Sequence, residues 1–176
     1  LYYTLFREHG ITVGQVLTTK ESLSGKKQMA NQYNCMNVML RNRIIPIINE
    51  NDTIAITELM FTDNDELAGL VAKMMNANML VLLTNVDGIF GTKEDGTLDS
   101  KNLIREVRNG DDVEKYIQKK KSSRGRGGML SKESIAVKSS ESGIETFIAN
   151  GRRRNIICDL LQRPSETPST HFIPNK

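Results

Sequence analysis

Apolar positions along the chain fall into two rhythms. Short, nearly continuous runs at residues 44–48, 79–84 and 144–149 have the length of buried strands. Between them the spacing becomes helical. Met29, Tyr33, Met36 and Leu40 recur at steps of four, three and four, which predicts a helix over 28–41 with one apolar face. Leu67, Leu70, Val71, Met74 and Met75 form a second stripe. The same reading predicts the end of a helix over 1–9 stopped by Gly10, a strand over 11–17, and a helix over 130–142 closed by Gly143. A short helix near 155–161 and an edge strand over 170–173 complete it. The stretch 53–61 alternates like a small hairpin, and 111–118 reads as a short helix capped by its own acids. Residues 91–110, rich in Gly, Asp, Asn and Lys, read as loop with a short strand near 103–107. Pro46 removes a ladder donor from the strand over 44–49 and would ordinarily demote a central strand.

Strands alternating with crossover helices imply an α/β fold, with a parallel sheet covered on both faces. Such sheets bind ligands beyond the carboxyl ends of their strands. Two polar clusters stand at those ends. Asn49, Glu50, Asn51, Asp52 and Thr53 follow the isoleucine-rich strand, and Thr84, Asn85, Val86, Asp87 and Gly88 close the strand over 79–84.

Composition narrows the class without choosing within it. A chain of 176 residues is long enough for one domain and short for two. With 38% hydrophobic and 26% charged residues it has the make-up of a globular protein. A net charge of +3 is too small to argue for nucleic acid. Cys35 and Cys158 fit neither a metal spacing nor a disulfide framework and read as free thiols in a reducing cytoplasm. The longest apolar run, 79–83, is far too short to span a bilayer, so no membrane role is expected. The chain opens on Leu1, already inside a helical pattern, and residues upstream of it are expected to be missing.

The candidate chemistry is carried by carboxylates, amides and one glycine-rich run. Asp63, Asn64 and Asp65 precede a helix that needs only one N-cap, which leaves Asn64 or Asp65 to hold an ammonium or amide group of a ligand. Asp52 is either an Asx-turn residue or a partner in the same site. The run GRGGMLSK, 125–132, puts glycines and a lysine at a helix start, where backbone N–H groups and helix dipole favour an anion. It is not a Walker A loop, because Ser131 rather than glycine precedes Lys132. The basic run Lys119, Lys120, Lys121, Arg124 and Arg126 reads as a solvated loop, as reinforcement of that anion site, or as an arginine-glycine RNA-binding segment. No aromatic residue inside it can stack on a base, which counts against RNA. His9 and His171 lack acidic or thiol partners in sequence and read as structural or surface residues, and no serine nucleophile elbow is present.

Together, PIINENDT (46–53), TDND (62–65), LLTNVDGIF (82–90) and GRGGMLSK (125–132) resemble the glutamate 5-kinases of the amino acid kinase family. The resemblance runs in order from residue 1 to about 151. It implies a three-layer αβα sandwich around a mainly parallel sheet, as the carboxyl-terminal portion of a single kinase domain over 1–176 with no RNA-binding-like (PUA) domain. It also implies ATP- and Mg²⁺-dependent phosphorylation of the γ-carboxylate of L-glutamate, the first step of proline biosynthesis, in a cytoplasmic dimer or tetramer. By the same resemblance Asp52, Asn64 and Asp65 would bind glutamate. Thr84 and Asn85, with Arg126, Gly127, Gly128, Met129, Leu130, Ser131 and Lys132, would bind nucleotide, and Lys132 would act catalytically on the ATP phosphates. Arg126 stands where the family often has threonine, and Asn85 where aspartate is common. The family's Lys-x-Gly-Ser strand and Ser-x-Gly-Ala loop would precede Leu1, so this chain alone is expected to bind ligands without turnover. Other substrates of the same family, and a non-catalytic nucleotide- or RNA-binding module, are the alternatives.

Overall fold

The computed structural model describes residues 1–54, 60–93, 95, 97–108 and 128–174. Most of the hairpin predicted over 53–61, the helix predicted over 111–118 and the basic run from Lys119 to Arg126 fall outside them. The chain divides into two compact units, Leu1–Met75 and Asn76–Lys176.

In the first unit, helix α1 (Tyr2–Arg7) ends where Gly10 takes φ 69°, and strand β1 (Thr12–Thr18) follows. A 3-10 turn (Glu21–Leu23), helix α2 (Lys26–Arg41), strand β2 (Ile44–Glu50) and helix α3 (Asn64–Met74) complete the unit. β1 and β2 pair in parallel, from Thr12 opposite Ile44 to Thr18 opposite Glu50. Pro46 lies opposite Gly14, in a strand with one hydrogen-bonded neighbour among the described residues, a setting that tolerates a missing donor. The α3 stripe behaves as its spacing predicts: Leu67 is buried with Leu23 and Phe61, and Leu70, Val71, Met74 and Ile48 pack around them.

Two expectations fail in this unit. Of the α2 stripe, Met36 alone is buried, while Met29, Tyr33 and Leu40 are exposed. None of Ile44, Ile45, Ile47 and Ile48 is fully buried, and Ile45 is 40% exposed. The physical reason is width. A two-stranded ribbon offers too little surface to cover a whole helix stripe, or to bury both faces of its own strands.

The second unit holds strand β3 (Met79–Thr84), a hairpin of β4 (Phe90–Thr92) and β5 (Leu98–Leu103), and strand β6 (Glu106–Val107). Helix α4 (Met129–Glu141), strand β7 (Glu145–Asn150), helix α5 (Ile156–Gln162) and strand β8 (Ser169–Phe172) follow. The main sheet runs β3-β7-β8-β6; β3/β7 and β8/β6 are parallel, and β7/β8 is antiparallel. Phe147, Ala149, Ile156 and Leu160 form one core cluster, with Met79 and Val81 against it. Both units have the mixed α/β build that the apolar pattern predicts, and three of the five strand pairings among the described residues are parallel, the second unit holding two parallel and two antiparallel ones.

Two further expectations are corrected. Residues 91–110 are not simply loop: Asp95 Oδ1 accepts from the Thr97 N–H at 2.8 Å and the Thr97 hydroxyl at 2.6 Å, and this side-chain turn closes the β4–β5 hairpin. β8 is not an edge strand, since it lies between β7 and β6. Its polar look misleads because Ser169 and Thr170 are buried with their hydroxyls bonded inside the fold.

Candidate active site

The first cluster is built on the carboxyl end of β2. The Asn51 N–H donates to Thr18 O at 2.7 Å, the Thr53 hydroxyl to Asn51 Oδ1 at 2.6 Å, and the Ile54 N–H to Asn51 O at 3.2 Å. The chain turns on Asn51, and Asp52 stands exposed at the turn. Glu50 Oε1 accepts from the Phe61 N–H at 2.9 Å, bringing the chain back to β2 two residues before the α3 cap.

That cap is Asp63. Its Oδ1 accepts from the N–H groups of Asp65 and Glu66, each at 3.0 Å. Asn64 is left exposed and Asp65 half-buried on the first turn. Glu66 completes a displaced capping box: its Oε2 accepts the Thr62 N–H and the Thr62 hydroxyl, each at 2.8 Å, while its Oε1 meets Lys20 Nζ at 2.6 Å. Partial burial alone would raise the Glu66 carboxyl. The hydrogen bonds from Lys20 and Thr62, with the Lys20 charge, outweigh that effect and hold it below its ordinary value.

The second cluster lies where β3 and β7 end side by side, Thr84 opposite Asn150. The Gly151 N–H donates to Thr84 O at 2.8 Å, and the Thr84 hydroxyl reaches Asn85 Oδ1 at 3.4 Å. Asp87 receives a two-pronged contact from Arg153, Nε to Oδ1 at 2.7 Å and Nη2 to Oδ2 at 2.6 Å; Asn150 Nδ2 donates to the same Oδ1 at 3.0 Å. The Arg153 guanidinium holds the Asp87 carboxyl below the usual carboxylate range, against partial burial and with help from Asn150. The loop is held beyond this point too. The Ile89 N–H donates to Thr170 Oγ1 at 2.8 Å, and that hydroxyl donates to Ile104 O at 2.7 Å.

The third feature is the start of α4. Gly128 is its N-cap in extended conformation, φ −104° and ψ 177°, with no side-chain cap bond. Gly128 O accepts the N–H groups of Ser131 at 3.1 Å and Lys132 at 3.3 Å. Met129 and Leu130 occupy the first two helical positions, whose amides have no acceptor within the helix. Lys132 is half-buried on this turn. An anion at the helix start would meet open amides, helix dipole and the lysine charge together.

Asp52, Asn64 and Asp65 thus belong to the first unit, and Thr84, Asn85 and Gly128 to Lys132 to the second. Arg126 and Gly127 lie outside the described residues. Sequence places Asp87 in the polar cluster after β3 without giving it a role of its own, and it does not single out Lys20, Glu66 or Arg153. Glu66 had a signal, as the acid three residues after the cap. Arg153 had none, because its partner is 66 residues away. His171 does have an acid nearby: its Nε2 lies 3.0 Å from Glu145 Oε1, without hydrogen-bond geometry, and its ring stacks on Phe147 at 4.3 Å. Cys35 and Cys158 are free and exposed. Among the described residues no three His, Cys, Asp or Glu side chains converge to hold a metal, and no helix is long and apolar enough to cross a membrane. A Mg²⁺ that arrives on nucleotide phosphates needs no such protein cage.

Known proteins resemble this chain in sequence and in fold. A protein named glutamate 5-kinase from Bacteroides thetaiotaomicron is 58% identical over 175 residues, which is 99% of this chain and 48% of that protein. One of the same name from Chlorobaculum tepidum is 45% identical over 157 residues, covering 89% of this chain and 42% of its own length. The chain spans about half the length of these curated relatives. In fold it matches an isopentenyl phosphate kinase product complex from T. acidophilum at TM-score 0.60 and 16% identity, over 94% of this chain and 62% of that one. The model of the amino acid kinase family matches residues 1–150, which takes in both units' strands from β1 to β7 and the candidate residues from Asp52 to Lys132, though not Arg153. The chain belongs to the amino acid kinase family.

Proposed function

We propose that the chain works in a glutamate 5-kinase, transferring the γ-phosphoryl group of ATP to the γ-carboxylate of L-glutamate and releasing ADP and L-glutamyl 5-phosphate. This is the first step of proline biosynthesis. The observation that carries the reading is the similarity along nearly the whole chain to proteins of that name, at up to 58% identity.

The chemistry of the residues supports it. Exposed Asp52 and the Asn64–Asp65 pair after the cap suit a substrate that brings an ammonium. Thr84, Asn85 and the start of α4 suit a nucleotide, with Lys132 against its phosphates. The attacking group is a carboxylate, ionised at neutral pH, so no strong general base is required. Phosphoryl transfer asks for in-line positioning and neutralisation of charge on the moving oxygens. Lys132 and the open amides of α4 supply part of that charge, and Mg²⁺, held by the nucleotide phosphates, would neutralise more. The reading extends to a cytoplasmic homo-oligomer, a dimer or tetramer, built on a single kinase domain to which these residues contribute the carboxyl-terminal portion.

The test is trapping the acyl phosphate with hydroxylamine, using protein expressed from its complete coding sequence and supplied with Mg²⁺-ATP and L-glutamate. Glutamyl hydroxamate is expected, and Lys132→Ala should lower its rate of formation more than it weakens glutamate binding. A folded protein that forms none overturns the reading.

A further inference from the structure

The loops that follow β3 and β7 are tied together by a clamp that no single stretch of sequence announces. Arg153 grips both oxygens of Asp87, Asn150 adds a third bond to Oδ1, and the Gly151 N–H holds Thr84 O. A planar fork on a carboxylate fixes angle as well as distance, which a single point charge does not. Asp87 lies two residues beyond Asn85 and three beyond Thr84. On its far side the chain is fixed by Ile89 to Thr170. The path of 84–88 is therefore set at one end by β3, at the other by β8, and in the middle by Arg153.

We infer that Arg153 is a positioning residue for the nucleotide: it holds Asp87, and through Asp87 it sets Thr84 and Asn85 at the angle that ATP requires. The inference rests on the reading of Thr84 and Asn85 as nucleotide contacts. A role in folding alone fits the geometry less well. The Arg153 side chain is 44% exposed and lines an open cleft with Ile156 and Pro168, so truncating it leaves no buried void. Ion pairs this accessible contribute little to global stability. Orientation of a binding loop is different, because small displacements of a contact group are felt directly in binding and rate.

The experiment uses protein from the complete coding sequence as wild type, Arg153→Ala, Arg153→Lys, Asp87→Asn and the Arg153→Ala/Asp87→Asn double variant. ATP and glutamate dissociation constants are read by calorimetry, and KM values by product formation. Arg153→Ala should raise the ATP constant roughly three- to tenfold while the glutamate constant stays within about twofold. Arg153→Lys should fall between, because an ammonium cannot fork. The double variant should be no worse than the worse single one, because both changes break the same clamp. Unchanged ATP affinity in Arg153→Ala overturns the inference, as does a parallel loss of glutamate affinity. A wild type that binds ATP but forms no glutamyl phosphate refutes the proposed reaction and leaves the clamp testable by calorimetry. A wild type that binds no ATP refutes both.

Discussion

Glu66, on the first turn of α3, holds Lys20 of the segment after β1 at 2.6 Å with one carboxylate oxygen and both donors of Thr62 with the other. One side chain thus fastens the helix that carries Asn64 and Asp65 to the chain leaving β1.

The pair gives a pH dependence whose sign is fixed. The folded-state pKa of Glu66 lies below its ordinary value of 4.5, so the unfolded chain binds the proton more readily. The stabilisation is complete above 4.5 and is lost as pH falls through the lower, folded value. Wild type should exceed Glu66→Gln by about 1 kcal/mol at neutral pH, with the gap closing as pH falls below 4.5. Denaturant unfolding of both proteins across that range checks it; a gap that widens on acidification contradicts it.

Asp63 caps α3, and Asp65 is the proposed glutamate contact beside it. Asp63→Ala removes the acceptor for two backbone N–H groups and should cost about 1 kcal/mol of stability. Asp65→Ala leaves that cap in place and should instead raise the glutamate KM about tenfold or more. Unfolding curves and glutamate titrations on the two variants separate the roles.

Gly88 is closed to any side chain. A Cβ there would collide with Thr170 Oγ1 and lie 2.8 Å from Thr170 N, the second a backbone atom that cannot swing aside. Gly88→Ala should cost about 1–3 kcal/mol, read as a lower denaturant midpoint at unchanged slope.

Local patterns found most of the elements. The α3 stripe, the end of α4 at Gly143 with its φ of 85°, and the strands β3 and β7 follow directly from spacing and from a single glycine. Burial was less legible, because it depends on how wide a sheet lies beneath a stripe: α2 carries as regular an apolar face as α3, yet Met36 alone of that face is buried. β8 hid behind its own hydroxyls: that of Thr170 is met by Ile104 O and the Ile89 N–H from elsewhere in the chain, and that of Ser169 by Thr167 O. At the candidate site the carboxylates, the amides and Lys132 could be read from their positions at strand ends and helix starts. Arg153 could not, because its meaning lies in a partner that β3 and β7 bring alongside.

On the proposed function, the acidic groups after β2 and at the start of α3 select an amino acid with a free ammonium. The measurement is the ratio of kcat/KM for L-glutamate to that for N-acetyl-L-glutamate, in protein from the complete coding sequence with Mg²⁺-ATP. L-Glutamate should be preferred about 100-fold or more, because the acetylated substrate brings no ammonium to Asp52 and Asp65. Equal rates on both substrates, or a preference for the acetylated one, would contradict it.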